Sequence, residues 1–292
     1  MGKTVSIIGA GVVGKAVGHL LRQKGHAIKG VCSRDLENAK AAVEFIGEGI
    51  PGTDPVTASR TSDWVFITTP DRAIKETCDN VSAAKGFKAR SLVAHFSGAL
   101  SSEELASARG CGARVASIHP MQSLASVGQA VKNMPGSYFS LEGDPEAMDE
   151  GREVVEALGG LLIVIPTDQK ALYHAGAAVA SNYLATVVDF SLMIYESIGM
   201  DRKEAARAVM PLIRGTVDNI ERVGLPAALT GPIARGDVAT VEGHLAALAK
   251  TMPKMVRLYS ELGKHAVRIG MAKGTLGTEE GYKMLEALSR RI

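Results

Sequence analysis

The chain has 292 residues, of which 46% are hydrophobic and 22% charged, enough apolar material to core one large domain or two ordinary ones beneath a normal polar surface. Thirty-three basic against 31 acidic residues leave a formal charge of +2, and only 4% are aromatic. That balance excludes a basic polyanion-binding field or a base-stacking platform, so no nucleic-acid partner is expected.

The first predicted strand, TVSII (4–8), is apolar on both sides, as an inner parallel strand must be. It runs directly into Gly9-Ala10-Gly11-Val12-Val13-Gly14, which opens the helical stretch KAVGHLLRQKG. Strand, GxGxxG turn and helix in that order form a dinucleotide cradle. Gly9 permits the tight turn, Gly11 lets the backbone approach a pyrophosphate, and Gly14 lets the helix pack closely on the strand. The helix N-terminus, including Val12 and Val13, then offers free N–H groups and partial positive charge to the phosphates. Lys15 does not stand at Walker A spacing.

The second strand, AIKGVCS (27–33), ends in Ser33-Arg34-Asp35. An NAD site places an acid there for the ribose 2′-hydroxyl, whereas NADP needs a cation and small donors for the 2′-phosphate. Ser33 and Arg34 fit NADPH, because a guanidinium forks onto phosphate; Asp35 is read as the N-cap of the following helix.

Further strand runs are DWVFITT (63–69), SLVAHF (91–96), RVASI (114–118), SYFSL (137–141) and LLIVI (161–165), with helical DPEAMDEGREVVEALGG between the last two. Alternating strands and helices predict a doubly wound, mostly parallel α/β sheet of Rossmann type. Ligands in such sheets lie beyond the carboxyl ends of the strands. Thr68-Thr69-Pro70-Asp71 is therefore expected along the cofactor, with Thr69, Pro70 and Ser97 touching it. His95, Ser97, His119, Gln122 and Ser123 are expected to share one edge.

After Pro166 no strand run remains, and helical stretches end at Gly199, at Gly224-Leu225-Pro226 and at Gly231-Pro232. This predicts a dinucleotide-binding domain over 1–165 and an all-α domain over 166–292. The small residues Ala175, Gly176, Ala178, Ala180 and Ser181 permit close approach of a helix, from this chain or a second subunit. Asp237 reads as the N-cap of VATVEGHLAALA.

Cys32, Cys78 and Cys111 are widely spaced and lack CxxC or histidine-rich company, so neither a disulfide framework nor a metal site is expected and a reduced, cytoplasmic setting suits the chain. The stretch from Val5 to Val13 is too short and glycine-broken for a signal peptide. No apolar run reaches the roughly 18 residues of a membrane span.

Four motifs carry a family resemblance: HFSGALSSEEL (95–105), ASIHPMQSLA (116–125), YHAGAAVASNYL (173–184) and LTGPIARGD (229–237). In this order they resemble the Rossmann-like proteins with a DUF2520 C-terminal domain. That architecture is similar to pyrroline-5-carboxylate reductase, ketopantoate reductase and the 6-phosphogluconate/β-hydroxyacid dehydrogenases. The resemblance implies NADP, a 6-phosphogluconate-dehydrogenase-like helical domain that forms a homodimer, and an active site in the cleft between domains. β-Hydroxyacid dehydrogenases place their acid/base lysine in GxxGxG…KxxxN. The matching helix here runs from Asp168-Gln169-Lys170 through His174 to Asn182 without the glycine lead.

The implied activity is hydride transfer between NADPH and a small, anionic carbonyl or hydroxy-acid substrate. Cyclic-imine reduction, as in pyrroline-5-carboxylate reductase, and a non-catalytic NADP-binding regulator are the alternatives. His174 or His119 would supply the proton, Ser97 and Asn182 would polarise the substrate, and Lys170 and Arg235 would hold its anionic group.

Overall fold

The structure is a computed structural model and describes residues 2–290. Its strands are β1 (Thr4–Ile8), β2 (Ala27–Cys32), β3 (Ile50–Gly52), β4 (Trp64–Ile67), β5 (Leu92–His95), β6 (Arg114–Pro120), β7 (Tyr138–Gly143) and β8 (Leu161–Val164). They form one sheet in the order β3-β2-β1-β4-β5-β6-β7-β8. All neighbours are parallel except β6 and β7. The doubly wound, mostly parallel sheet predicted from the alternating elements is present. The one strand without a sequence signal is β3, because Ile50-Pro51-Gly52 offers no β-branched run and borrows its shape from pairing with Gly30–Cys32.

Period-two alternation sends neighbouring side chains of each strand to opposite faces. Val5 and Ile7, Trp64 and Phe66, Leu92 and Ala94, and Ala116 and Ile118 all enter one core, under α1 (Val12–Gln23), α2 (Leu36–Ile46), α6 (Val127–Asn133) and α7 (Met148–Ala157). Ile8, Val65, Ile67, Val93 and Val115 enter the other, whose cover includes α4 (Asp71–Ala83) and α5 (Ala106–Arg109). A short helix, α3 (Pro55–Ser59), connects β3 to β4. With apolar cores on both faces, the inner strands have no wet side, which explains their unbroken hydrophobicity. Asp35 caps α2 as read from sequence, accepting from the Glu37 N–H at 3.0 Å.

The described residues separate into two compact units, the first ending at Leu184 and the second beginning at Ala185. This lies beyond the expected boundary at 165. The physical reason is α8 (Lys170–Ala178), whose Lys170 and Tyr173 are tied to β7 and β6 of the sheet. The second unit holds nearly all of α9 (Leu184–Ser197), then α10 (Arg202–Val223), α11 (Val238–Thr251), α12 (Val256–Lys273) and α13 (Thr278–Ser289). No strand follows β8 among the described residues. Val241, Leu245, Val267, Met284 and Leu288 form the core of α11–α13, and Leu192, Ala205 and Val209 join α9 to α10.

A π turn at Val179–Tyr183 joins α8 to α9, so Thr167–Ser197 is one helix of 31 residues. It is long and apolar enough to cross a membrane by length and composition, with a mean hydropathy of 1.4 over an 18-residue window. No unbroken apolar run is involved, as read from sequence; valines, leucines, isoleucine, methionine, phenylalanine and alanines interspersed with polar residues carry the window over the threshold. Only 6% of the window is buried within the chain, and a single such helix is weak evidence for a membrane, since helices that bury against other protein surfaces pass the same test.

Phe66 tests the sheet core. It is fully buried, packs edge-on to Phe96 and leans on Trp64. Phe66→Ala is expected to lower stability by roughly 3–5 kcal/mol, read as a lower urea midpoint.

Candidate functional site

Along the carboxyl edge of β1, β2 and β4 lies a cleft of about 550 Å³, lined by Gly9 to Val13, Ser33, Arg34, Thr68, Thr69 and Pro70 among others. Its floor is set by close backbone approach. Gly9 has φ +117°, and a Cβ there would stand 2.5 Å from the Thr68 carbonyl carbon. A Cβ on Gly14 would run into the Gly9 carbonyl oxygen and meet the Thr68 hydroxyl at 2.6 Å. At Gly11, by contrast, an added Cβ meets nothing, so the loop is open toward the cleft. Gly11 is the N-cap of α1 and provides no side-chain cap, which leaves the first N–H groups of the helix free for an anion. The Thr69 hydroxyl is buried in the cleft wall without a hydrogen-bond partner among the described residues. Open glycine, free helix amides and an orphaned hydroxyl fit a dinucleotide.

Arg34 lies exposed at the mouth, with no ion pair among the described residues. Arg72, in the first turn of α4, lines the same cleft and is likewise exposed and unpaired among them. Sequence reasoning missed Arg72, although its place directly after the β4 loop was the available signal; Asn38, Thr53 and Thr77 also line the cleft.

The second group of polar residues gathers at the ends of β5 and β6. His95 is fully buried; its Nδ1 accepts from the Ser97 N–H at 3.1 Å and its Nε2 faces the Ser101 carbonyl at 2.9 Å. That pairing needs a neutral ring protonated on Nε2. Burial pulls its pKa down to about 4. The Ser97 hydroxyl donates to Asp71 at 2.8 Å and accepts from the N–H groups of Ala99 and Leu100. Its capacity is used up, so Ser97 ties the β5 loop to the start of α4 and is not the substrate-polarising group it was read to be.

His119 and His174 stand on either side of Gly98, their rings edge-on with centroids 5.9 Å apart. A Cβ on Gly98 would lie 2.5 Å from His174 Cδ2 and 2.7 Å from His119 Nε2, so only glycine fits between them. Burial lowers the pKa of His119 to about 3, helped by the positive charge of Lys170; the ring is neutral at ordinary pH. Its Nδ1 lies 3.0 Å from the Tyr173 hydroxyl. Tyr173 is a second residue that sequence reasoning passed over, one position before His174 in a motif it had singled out.

Lys170 departs most from expectation. A lysine in a first helical turn reads as a solvated cation able to reach an anionic substrate, yet this one is 1% exposed. Its ammonium donates to Ser140 at 3.3 Å and lies 5.5 Å from the centre of the Tyr173 ring. Burial lowers its pKa to about 8, with the carboxylate of Glu142 acting in the opposite sense. Glu142 is itself buried and is held by the N–H and hydroxyl of Ser102. The substrate-anchoring role does not suit a side chain sealed behind the sheet edge. Among the described residues no three His, Cys, Asp or Glu side chains converge as a metal site would require.

The remaining candidates fall outside this cluster or differ from it. Gln122 and Ser123 are exposed and bond locally, Gln122 to Ser137. Asn182 is exposed in the π turn, the kind of helix distortion that often marks a functional position. Arg235 belongs to the second unit, exposed in a short 3-10 turn, and Asp237 caps α11 as expected. His244 there pairs with the Tyr259 hydroxyl at 2.7 Å.

His95 gives a pH prediction. Its folded pKa, about 4, lies below the ordinary 6.5, so the unfolded chain binds the extra proton first. Stability is then full above about pH 6.5 and falls as the pH drops toward 4. Thermal melting of His95→Gln, which can keep the bond to Ser101, should fall less steeply across that window than wild type.

Comparisons with known proteins agree with this geometry. Residues 4–95 match the family described as NADP oxidoreductase, coenzyme F420-dependent, and residues 137–266 match DUF2520, a domain of unknown function. No curated protein is matched by the sequence. Among solved structures, protein TM1727 from Thermotoga maritima is similar at 28% identity and TM-score 0.76, over 92% of this chain and 99% of its own. The provisionally assigned NADP oxidoreductase BF3122 from Bacteroides fragilis is similar at 21% identity and TM-score 0.71, over 91% and 98%. A pyrroline-5-carboxylate reductase from Coxiella burnetii shares the fold at 14% identity and TM-score 0.57, over the full length of both chains. The dinucleotide cradle lies inside the first match and α8 inside the second.

Proposed function

We propose that the protein reduces a small, anionic carbonyl or imine compound with NADPH, or runs the reverse oxidation, at the carboxyl edge of its sheet. The observation that carries this reading is the Ser97–Asp71 hydrogen bond. It joins the loop bearing Gly98, which His119 and His174 flank, to the α4 terminus that lines the nucleotide cleft. When bound, the nicotinamide supplies or takes the hydride. The first-turn amides of α1 hold the pyrophosphate, Arg34 holds the 2′-phosphate, and Thr69 bonds the nucleotide along the β4 loop. His119 or His174 manages the proton.

Arg34→Ala tests the nucleotide assignment through binding alone. Loss of a charge-assisted phosphate contact is expected to weaken NADPH by about ten-fold or more while leaving NADH nearly unchanged. Equal affinities before and after would remove Arg34 from the site.

Turnover tests the chemistry. With a panel of 2-oxo acids, 3-hydroxy acids and cyclic imines followed by NADPH absorbance, Gly98→Ala is expected to lose activity because its Cβ displaces both imidazoles, while NADPH binding is kept. Tight NADPH binding with no turnover by wild type on any member would favour a non-catalytic nucleotide sensor.

We also assign the exposed apolar helices to a homodimer. Leu172 is 72% and Leu212 67% exposed, and Val179, Tyr183, Val217 and Ile220 are exposed too. Apolar surface of this extent on α8 to α10 is more than a monomer keeps in water, and size measurement by light scattering should give twice the chain mass.

A further inference from the structure

Two cations, Arg34 and Arg72, line the nucleotide cleft, and the proposed function gives a task only to the first. Arg72 stands where its own helix disfavours it. It occupies the first turn of α4, whose N-cap Pro70 adds no side-chain cap, so its charge adds to the positive end of the helix. An anion beside it would remove that cost.

No acid of the chain takes that part. Asp71, next to Arg72, accepts the Ser97 hydroxyl at 2.8 Å. Asp35, next to Arg34, is occupied as the cap of α2. Glu76 stands four residues beyond Arg72, the spacing of a helical ion pair. Lys75 and Asp79 use that same spacing at 2.7 Å. Arg72 does not, and it forms no ion pair among the described residues; its side chain lines the cleft instead.

The sheet order brings the two arginines to one corner. β2, whose end carries Arg34, and β4, whose loop leads into α4, both pair with β1. At ordinary strand spacing their ends lie about 10 Å apart, within the combined reach of two arginine side chains. α4 turns Ile74 and Cys78 into the core. Its Ala73 and Thr77 line the cleft together with Thr53 and Pro55, which follow β3. Arg72 therefore enters from the wall that faces the end of β2, where a ribose 2′-substituent falls.

We propose that Arg72 is a second ligand of the cofactor 2′-phosphate, reaching it from α4 while Arg34 reaches it from β2, and that the pair sets the preference for NADPH over NADH. This rests on the NADPH reading above. A phosphomonoester carries close to two negative charges at neutral pH, so one guanidinium matches only about half of them. Two guanidinium groups match the whole and fork onto its oxygens from two sides. The pair also acts against the other cofactor. NADH leaves two cations facing a hydroxyl with no anion between them, and that repulsion adds to the discrimination.

Binding to the full chain tests this, with NADPH, NADH, adenosine 2′-monophosphate and adenosine 5′-monophosphate as probes. Arg72→Ala is expected to weaken NADPH and adenosine 2′-monophosphate about ten-fold, with NADH and adenosine 5′-monophosphate nearly unchanged. Arg72→Lys should recover part of the loss, since it restores the charge without the fork. Replacing Arg34 and Arg72 together by alanine should bring the NADPH and NADH affinities close to each other. Without ligand, Arg72→Ala should melt no lower than wild type, because it removes a cation from the positive end of a helix.

Equal weakening of NADPH and NADH by Arg72→Ala would place Arg72 on a part of the nucleotide common to both and overturn the proposal. A lower melting temperature with loss of both nucleotides would mark a structural residue and overturn it too. If Arg34→Ala loses the preference and Arg72→Ala keeps it, the assignment of Arg72 alone falls. A wild type that binds NADH as tightly as NADPH would remove the NADPH reading and this assignment with it.

Discussion

The close contact among Gly9, Gly14 and Thr68 is the constraint on which the site depends. The first turn of α1 approaches β1 and β4 so nearly that a single added carbon at either glycine collides with backbone. That approach aims the helix amides into the cleft and brings the β4 loop alongside. The β4 loop in turn starts α4 with Asp71, and Asp71 receives the Ser97 hydroxyl. A three-way backbone packing at one end of the sheet thereby sets the position of the loop that carries Gly98, and the two imidazoles follow from that.

The electrostatics of the second cluster have a similar internal logic. His95, His119 and Lys170 are crowded into the sheet edge with little acid near them, since Glu142 is held by Ser102 and Asp71 by Ser97. Desolvation and mutual repulsion both favour the uncharged forms. The imidazoles yield first because they are weaker bases than the lysine, which leaves one proton-rich group behind two neutral rings. Under the proposed function, such a cluster would manage protons without a fixed charge beside the substrate. This is compatible with an anionic substrate held by groups outside the cluster.

Much of this was legible in the residues. The glycine turn follows a strand and opens a helix, so its context could be checked without a structure, and the unbroken apolar strands announced a sheet covered on both faces. Asp35 and Asp237 cap helices because carboxylates satisfy free N–H groups wherever a helix starts. The strand-end rule placed His119 and Ser97 on one edge, although it could not show that the Ser97 hydroxyl was already spent. What sequence hid was decided by tertiary packing. Lys170 looks like any first-turn lysine until β7 covers it. Tyr173 matters through a partner 54 positions away. The short β3 exists through its pairing with β2, and the π turn at Val179–Tyr183 leaves no mark in the residue pattern.

The central claim is that one nucleotide-binding edge delivers a nicotinamide to the histidine pair. A crystal structure of the protein with NADP+ bound tests it most directly. The account predicts the 2′-phosphate against Arg34, the pyrophosphate on the first turn of α1, and the nicotinamide C4 within contact of His119 or His174. A nucleotide bound in the cleft with its nicotinamide turned out to solvent, away from both imidazoles, would contradict it.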